Sequence, residues 1–283
     1  MIQIPILGAL ALGAGTVLER TILKNKKIKI GFYQTISFLS IILIMSPLVY
    51  FFWGLNGQAF ELKNILLFIA VVISAIIANL LVFYSQKWEK VTNTEPARIL
   101  EPLFVVLLAI IFSFFTEGLF ERNLKMIVPT LIAAVALVFP HIKRHHLSLN
   151  KYIISAIFGS FFFAVELILS RMILNFYSPI TFYFLRCVGI FLISFVILRP
   201  KIKLPEKEIL IKIVATAGIW IIYRVAVYYG YLTLGVIFTT LIVMLGAVFV
   251  YLFAFLFAKE KINWKNIISA VVIIACVVYT LLS

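Results

Sequence analysis

The chain has 283 residues, 64% of them hydrophobic, a formal net charge of +14, two cysteines and no aspartate. Soluble chains carry roughly 45–50% apolar residues, and here apolar runs of spanning length recur from end to end, which excludes a water-soluble globule and a β-barrel of short alternating strands. The positive charge is not a nucleic-acid signal, because it sits in short loops between apolar runs.

Ten membrane spans are expected, near 2–23, 30–52, 64–86, 94–116, 123–141, 150–174, 179–198, 208–232, 235–257 and 264–282. The first has no basic leader or small-residue cleavage site, so it is expected to stay in place. No connection has the length or polarity of a soluble domain. Loop charge alternates. Four lysines lie in Lys24–Lys29, and Lys87 and Lys90 follow the third span. Lys143, Arg144 and Lys151 surround the middle loop. Arg199, Lys201, Lys203 and Lys207 follow the seventh span, and Lys259, Lys261 and Lys265 surround the ninth loop. These are all odd-numbered loops. Even loops hold little beyond Lys63, Arg122 and Lys125. Basic excess marks the cytoplasmic side, which puts the odd loops inside and both termini outside a cytoplasmic (plasma) membrane.

In chain order, the first span carries Ala9-x-x-x-Gly13 and Ala11-x-x-x-Gly15, and the third carries Ser74-x-x-x-Ala78. Such small-residue pairs mark close helix contacts. Trp53, Trp88 and Trp264 fall near span ends and read as interface anchors. Asn79 and Tyr84 in the third span and Tyr33 and Gln34 in the second are lesser polar candidates. The fourth span opens Glu95-Pro96-Ala97-Arg98-Ile99-Leu100-Glu101-Pro102. Charges inside a span cost about 2.5–3.5 kcal/mol each on insertion scales and are expected to face a cavity or one another. Arg98 is three residues from each of Glu95 and Glu101, on one helix face. Pro102 cannot donate to the carbonyl of Arg98, which frees an acceptor of the kind that transporter sites use.

The second half carries the deepest charges: Glu166 in the sixth span, Arg186 in the seventh and Arg224 in the eighth. At 1.5 Å per residue each lies roughly 10–12 Å from one membrane face, so the three are expected to share a layer. Arg98, Glu101, Glu19 and Arg20 lie towards the other face. Trp220, Arg224, Tyr228 and Tyr231 form a stripe on the eighth span. A cation among rings with polar tips suits an organic anion or zwitterion. Cys187 and Cys276 lie inside apolar runs and read as packing residues.

The halves repeat. Glu117 and Glu260 stand at equivalent helix ends, Leu18–Leu23 matches Leu169–Leu174, and Phe32-Tyr33 matches Phe182-Tyr183, at offsets near half the chain. Thr239 stands in the ninth span where Pro96 stands in the fourth, and Leu245 where Pro102 stands. Five spans per half turn the second copy upside down, so residues 1–143 and 144–283 are expected to be two inverted five-helix repeats with a substrate path between them. The absence of aspartate removes diphosphate-metal motifs and aspartate dyads. No nucleophile–base motif and no phosphate-binding glycine loop is present. His141, His145 and His146 sit together in the middle loop, without metal-ligand spacing. No enzyme, cofactor or metal is expected.

The two five-span halves, the proline-bearing fourth span Glu95-Pro96 to Glu101-Pro102, and Glu117 and Glu260 after the fourth and ninth spans resemble the drug/metabolite transporter superfamily in its ten-helix EamA-type form. The resemblance covers nearly the whole chain. It implies alternating access around a central cavity, export or exchange of small metabolites such as amino acids, often with protons as coupling ion, and peripheral fifth and tenth helices. Members are usually described with both termini in the cytoplasm, opposite to the loop-charge reading.

The expectation is a secondary transporter of small polar or anionic metabolites in a lipid bilayer, with no nucleic-acid partner. Its substrate-binding candidates are Arg224, Trp220, Tyr228, Arg186, Glu166, Arg98, Glu101 and Asn79. Arg224 and Arg186 would hold the anionic group, and Glu166 or Glu101 would carry a coupling proton. The alternative is a flippase-like or scaffold component handling a lipid-linked headgroup, which requires a cavity open sideways to lipid and a partner chain.

Overall fold

A computed structural model describes residues 2–89, 100–114, 123–138, 150–200, 206–258 and 264–282. In a bilayer each backbone N–H and C=O must bond within its own segment, so apolar runs of this length become helices. They are α1 (Gln3–Leu23), α2 (Ile30–Phe52), α3 (Leu62–Trp88), α4 (Leu100–Ser113), α5 (Leu124–Val138), α6 (Lys151–Ile173), α7 (Pro179–Leu198), α8 (Lys207–Thr233), α9 (Val236–Val243), α10 (Leu245–Ala258) and α11 (Trp264–Leu282). With α9 and α10 as one interrupted span, they supply the ten spans at close to the expected bounds. The described residues contain no strand beyond a single bridge between Leu55 and Tyr177.

Loop contacts sort into two faces. On one, Lys27 pairs with Glu206 at 3.1 Å, the Lys87 ammonium donates to the Asn25 and Ile28 carbonyls, and Asn150 donates to Glu89 at 2.8 Å. On the other, Asn56 N–H donates to Phe176 O and Ser178 N–H to Gly54 O, each at 2.8 Å. Odd loops therefore meet odd loops and even loops meet even loops, as ten alternating spans require. The first is called the lysine-rich face below.

Helix pairing follows a two-fold exchange. α1 packs on α8 and α10, while its counterpart α6 packs on α3 and α4. α2 meets α8 as α7 meets α3, and α2–α7, α4–α9 and α5–α11 join each helix to its own counterpart. This is the contact pattern of two inverted five-helix repeats. The expected dividing line near residue 143 lies outside the described residues. α5 and α11 sit at the edge with α9, around a separate core that includes Ala133, Leu137, Leu241 and Ile273.

Small residues set the closest helix approaches. A Cβ on Gly159 would lie 2.7 Å from Val82 Cγ2, and one on Gly8 would lie 2.9 Å from Ala226 Cβ. Ser155 Oγ donates across the α3–α6 contact to Leu81 O at 2.8 Å. α8 turns into α9 through Leu234-Gly235, where φ 82 and ψ 167 at Gly235 strain any side chain. The ninth span is interrupted at Met244 without a proline. Met244 and Leu245 are 143 residues beyond Glu101 and Pro102, so the interruption falls where the fourth span carries its Glu-Pro pair. Trp53, Trp88 and Trp264 are exposed at helix ends, and Cys187 and Cys276 are buried at helix contacts.

Gly159→Ala is expected to lower the melting temperature of the detergent-purified protein, by overpacking worth about 1–3 kcal/mol. Gly218→Ala, whose Cβ meets nothing within 4 Å, is expected to leave it unchanged or raise it. Equal melting temperatures for the two variants would contradict the close α3–α6 contact.

Candidate functional site

Glu166 on α6, Arg186 on α7 and Arg224 on α8 meet in mid-membrane, 0%, 2% and 6% exposed. The Glu166 carboxylate takes Arg186 Nε on Oε1 at 2.9 Å and Arg224 Nη1 on Oε2 at 3.2 Å. Tyr228 OH, one turn after Arg224, donates to Oε1 at 2.9 Å, and Ser170 Oγ, one turn after Glu166, does so at 3.1 Å. The expected single layer of three charges is thus observed. One carboxylate faces two guanidinium groups, and Glu19 and Glu101 line the cavity on their other side. Rings flank the cations: Tyr183 below Arg186 at 5.7 Å, and Phe163 and Tyr223 around Arg224 at 5.2 and 5.4 Å. Cation–π attraction gains strength where water is excluded.

Towards the lysine-poor face the cluster rests on packed aromatics. Tyr228 and Tyr177 each contact Phe182, at 5.1 and 5.3 Å, and Phe68 contacts both Tyr177 and Phe182. Joined even loops lie beyond. Towards the lysine-rich face opens a cavity of about 60 Å³, room for several waters at about 10–15 Å³ each. Arg186 and Arg224 form its floor, with Phe163, Tyr183 and Tyr223 beside them. Glu19, Tyr33, Phe83 and Trp220 form its upper wall. Glu19 accepts from Trp220 Nε1–H at 3.1 Å and Tyr33 OH at 3.5 Å, so the first and second spans are tied to the eighth at the cavity's upper end.

Of the residues expected at the site, Arg224, Arg186, Trp220, Glu101 and Asn79 line the cavity. Asn79 also donates from Nδ2 to Ala75 O at 2.6 Å. Glu166 and Tyr228 are not among the lining residues, because they stand behind the arginines as their support. Arg98 lies outside the described residues, as do Glu95, Pro96, Ala97, Glu117, Glu260 and the three histidines. Of the lesser candidates, Tyr33 lines the cavity, whereas Gln34 donates to Ser194 at 2.8 Å and Tyr84 packs on Tyr152. Tyr183, Tyr223 and Phe163 went unmarked in the sequence. Tyr183 is three residues before Arg186 on its helix, so helical spacing was an available signal there, whereas Tyr223 adjoins Arg224 and carries no such signal. Among the described residues no group of three or more His, Cys, Asp or Glu can hold a metal ion.

The comparisons agree with this architecture. No curated protein matches the chain. A solved structure, described only as the crystal structure of a protein, superposes with a TM-score of 0.71 over 99% of this chain and 98% of its own at 15% identity. That likeness supports the fold alone. Residues 150–282 match the EamA-like transporter family, part of the drug/metabolite transporter superfamily. Over those residues the chain is similar to EamA-like transporters, and its all-helical fold with apolar helices long enough to cross a membrane is that of a multi-pass membrane protein.

Proposed function

We propose that the chain is a secondary active transporter of small organic anions or zwitterions, working by alternating access between its two inverted halves. The observation that carries this reading is the pair of buried guanidinium groups, Arg186 and Arg224, that share the single carboxylate of Glu166 on the floor of a cavity between the halves. Two guanidinium groups have more N–H donors than one carboxylate can take, and a substrate carboxylate or phosphate would accept them through charge-assisted hydrogen bonds. Arg224 is the primary anchor, since its rings and the indole of Trp220 one turn away supply apolar walls. Arg186 keeps Glu166 in place from the other side. The negative groups at the upper end, Glu19 and Glu101, suit a ligand that also carries a cationic or hydroxyl end, such as an amino acid.

By the loop-charge rule the lysine-rich face is cytoplasmic, so the conformation seen has its cavity on the cytoplasmic side and its aromatic seal outside. Rocking of one repeat against the other would break the Phe68–Tyr177–Phe182 seal and close the Glu19–Trp220–Tyr33 end. Transport is expected to be driven by an ion gradient, with protons as the coupling ion.

The purified protein is to be screened by thermal shift against amino acids, organic acids, nucleosides and sugar phosphates. A ligand at about a hundred times its Kd raises stability by about 2.7 kcal/mol. Arg224→Gln is expected to abolish that shift. A hit that persists undiminished in Arg224→Gln would remove the assignment. Binding and stability should also separate between the two partners. Glu166→Gln leaves two buried guanidinium groups without their counter-charge, and it should destabilise the apo protein by about 3–5 kcal/mol. Arg224→Gln should cost the apo protein less, because Glu166 keeps Arg186, Tyr228 and Ser170. The reverse order of apo melting temperatures would contradict the support role of Glu166.

A further inference from the structure

The edge of the fold carries an open groove of about 600 Å³ between α5 and α11, within the roughly 300–1,000 Å³ of ligand pockets. Its origin lies in the side chains that meet there. Pro129 of α5 and Cys276 of α11 are buried in its floor, and Ala275 beside Cys276 is small, so the helices touch without filling the space between them. Val128 and Ile132 on one side and Val272 on the other make its walls apolar. Among the described residues, the groove and the cavity at Arg224 share no lining residue. It is therefore a second site, and not a side opening of the substrate path.

The chemistry changes along its length. At the lysine-poor face, where α5 begins and α11 ends, the groove carries Lys125 and Tyr279, both exposed. The backbone donors of the first turn of α5 are already used: the Lys125 N–H goes to Asn123 Oδ1, and the Met126 and Ile127 N–H groups go to Asn123 O. The Lys125 ammonium is uncommitted, since no carboxylate among the described residues pairs with it. No acidic residue stands among the described lining residues. From Lys125 the apolar wall runs to Ile132, about 10 Å at 1.5 Å per residue, which is most of one leaflet of a roughly 30 Å hydrocarbon core. A cation and a hydroxyl at headgroup level, above an apolar furrow of leaflet depth, match one phospholipid end to end. A helix of a second copy would need contact across the whole span. Towards the lysine-rich face the rims continue as Val135, Ile268 and Val271, exposed and branched, without the small residues that let membrane helices approach.

We propose that this groove binds one anionic phospholipid from the leaflet at the lysine-poor face. Its phosphate rests on the Lys125 ammonium, the Tyr279 hydroxyl donates to a headgroup or ester oxygen, and one acyl chain lies over Pro129, Ala275 and Cys276. α5 and α11 are the last helices of the two halves, so the lipid joins the outer edges of both repeats. The site is independent of which substrate the protein carries.

The test uses the full chain, purified in detergent and stripped of lipid, and counts retained lipid by native mass spectrometry after equal additions of phosphatidylglycerol and phosphatidylcholine. The wild type is expected to retain one phosphatidylglycerol with a preference of about fivefold, the weight of one basic side chain against an anionic lipid. Lys125→Gln is expected to remove the preference. Lys63→Gln takes away another exposed lysine near the same face, outside the groove, and is expected to keep it. Ala275→Phe, at an exposed position that can hold a larger side chain, is expected to fill the furrow and remove the retained lipid of either kind. Equal retention of both lipids by the wild type, a preference that survives in Lys125→Gln, or one lost equally in Lys63→Gln overturns the proposal. So does a two-chain species that added lipid does not displace and that Ala275→Phe abolishes. No substrate enters the experiment, so its failure is distinct from failure of the transport reading, which rests on ligand binding at Arg224.

Discussion

The structure depends on one constraint: a carboxylate and two guanidinium groups must be held together where water does not reach. Glu166 meets it with both oxygens, forming an ion pair with Arg186 on one and with Arg224 on the other, while Ser170 and Tyr228 donate to Oε1. This contact fixes α6, α7 and α8 in register. It sets the depth at which the cavity ends, because the arginines form its floor while Glu166 stays behind them. It also leaves guanidinium N–H groups of two arginines beside a cavity, which is the basis of the proposed anion site.

The two-fold exchange of helix contacts places the cavity between the two halves of one chain. α1 lies on α8 as α6 lies on α3, so each half covers the other's third helix. The halves are symmetric in backbone and unequal in chemistry. Glu166, Arg186 and Arg224 all come from the second half, and the first supplies Glu19, Tyr33, Asn79 and Glu101. The family match follows the same division, covering residues 150–282, whereas the kinship of the first half is visible in its contacts. A cationic floor from one repeat and an acidic upper wall from the other give the cavity two poles.

Much of this was legible in the sequence, for definite reasons. The span count came from apolar runs of spanning length, and the alternation of loop charge, which bilayer insertion enforces, supported it. The shared layer of Glu166, Arg186 and Arg224 came from counting residues along helices of known rise, and the distances bear that out. The small-residue pairs proved to be close contacts, at Gly13 against α10 and Ala78 against α6. Helix rotation was not legible. Trp220, Arg224 and Tyr228 share a stripe, yet Trp220 and Arg224 reach the cavity while Tyr228 turns to Glu166, since half a stripe's width decides the partner. The Met244 interruption could not be read either, because the ninth span carries no proline to mark it. The Trp220–Glu19 bond joins residues far apart in the chain, and no periodicity announces such a pair.

The most direct test is a structure of the protein determined with a small carboxylate or phosphate ligand bound. The expected result places the ligand's anionic oxygens about 3 Å from the Arg224 guanidinium, the separation of charge-assisted hydrogen bonds, with Glu166 still held by Arg186. An anionic group bound away from both arginines, with the Glu166 cluster unchanged, would contradict the proposal that these two buried arginines recognise the substrate.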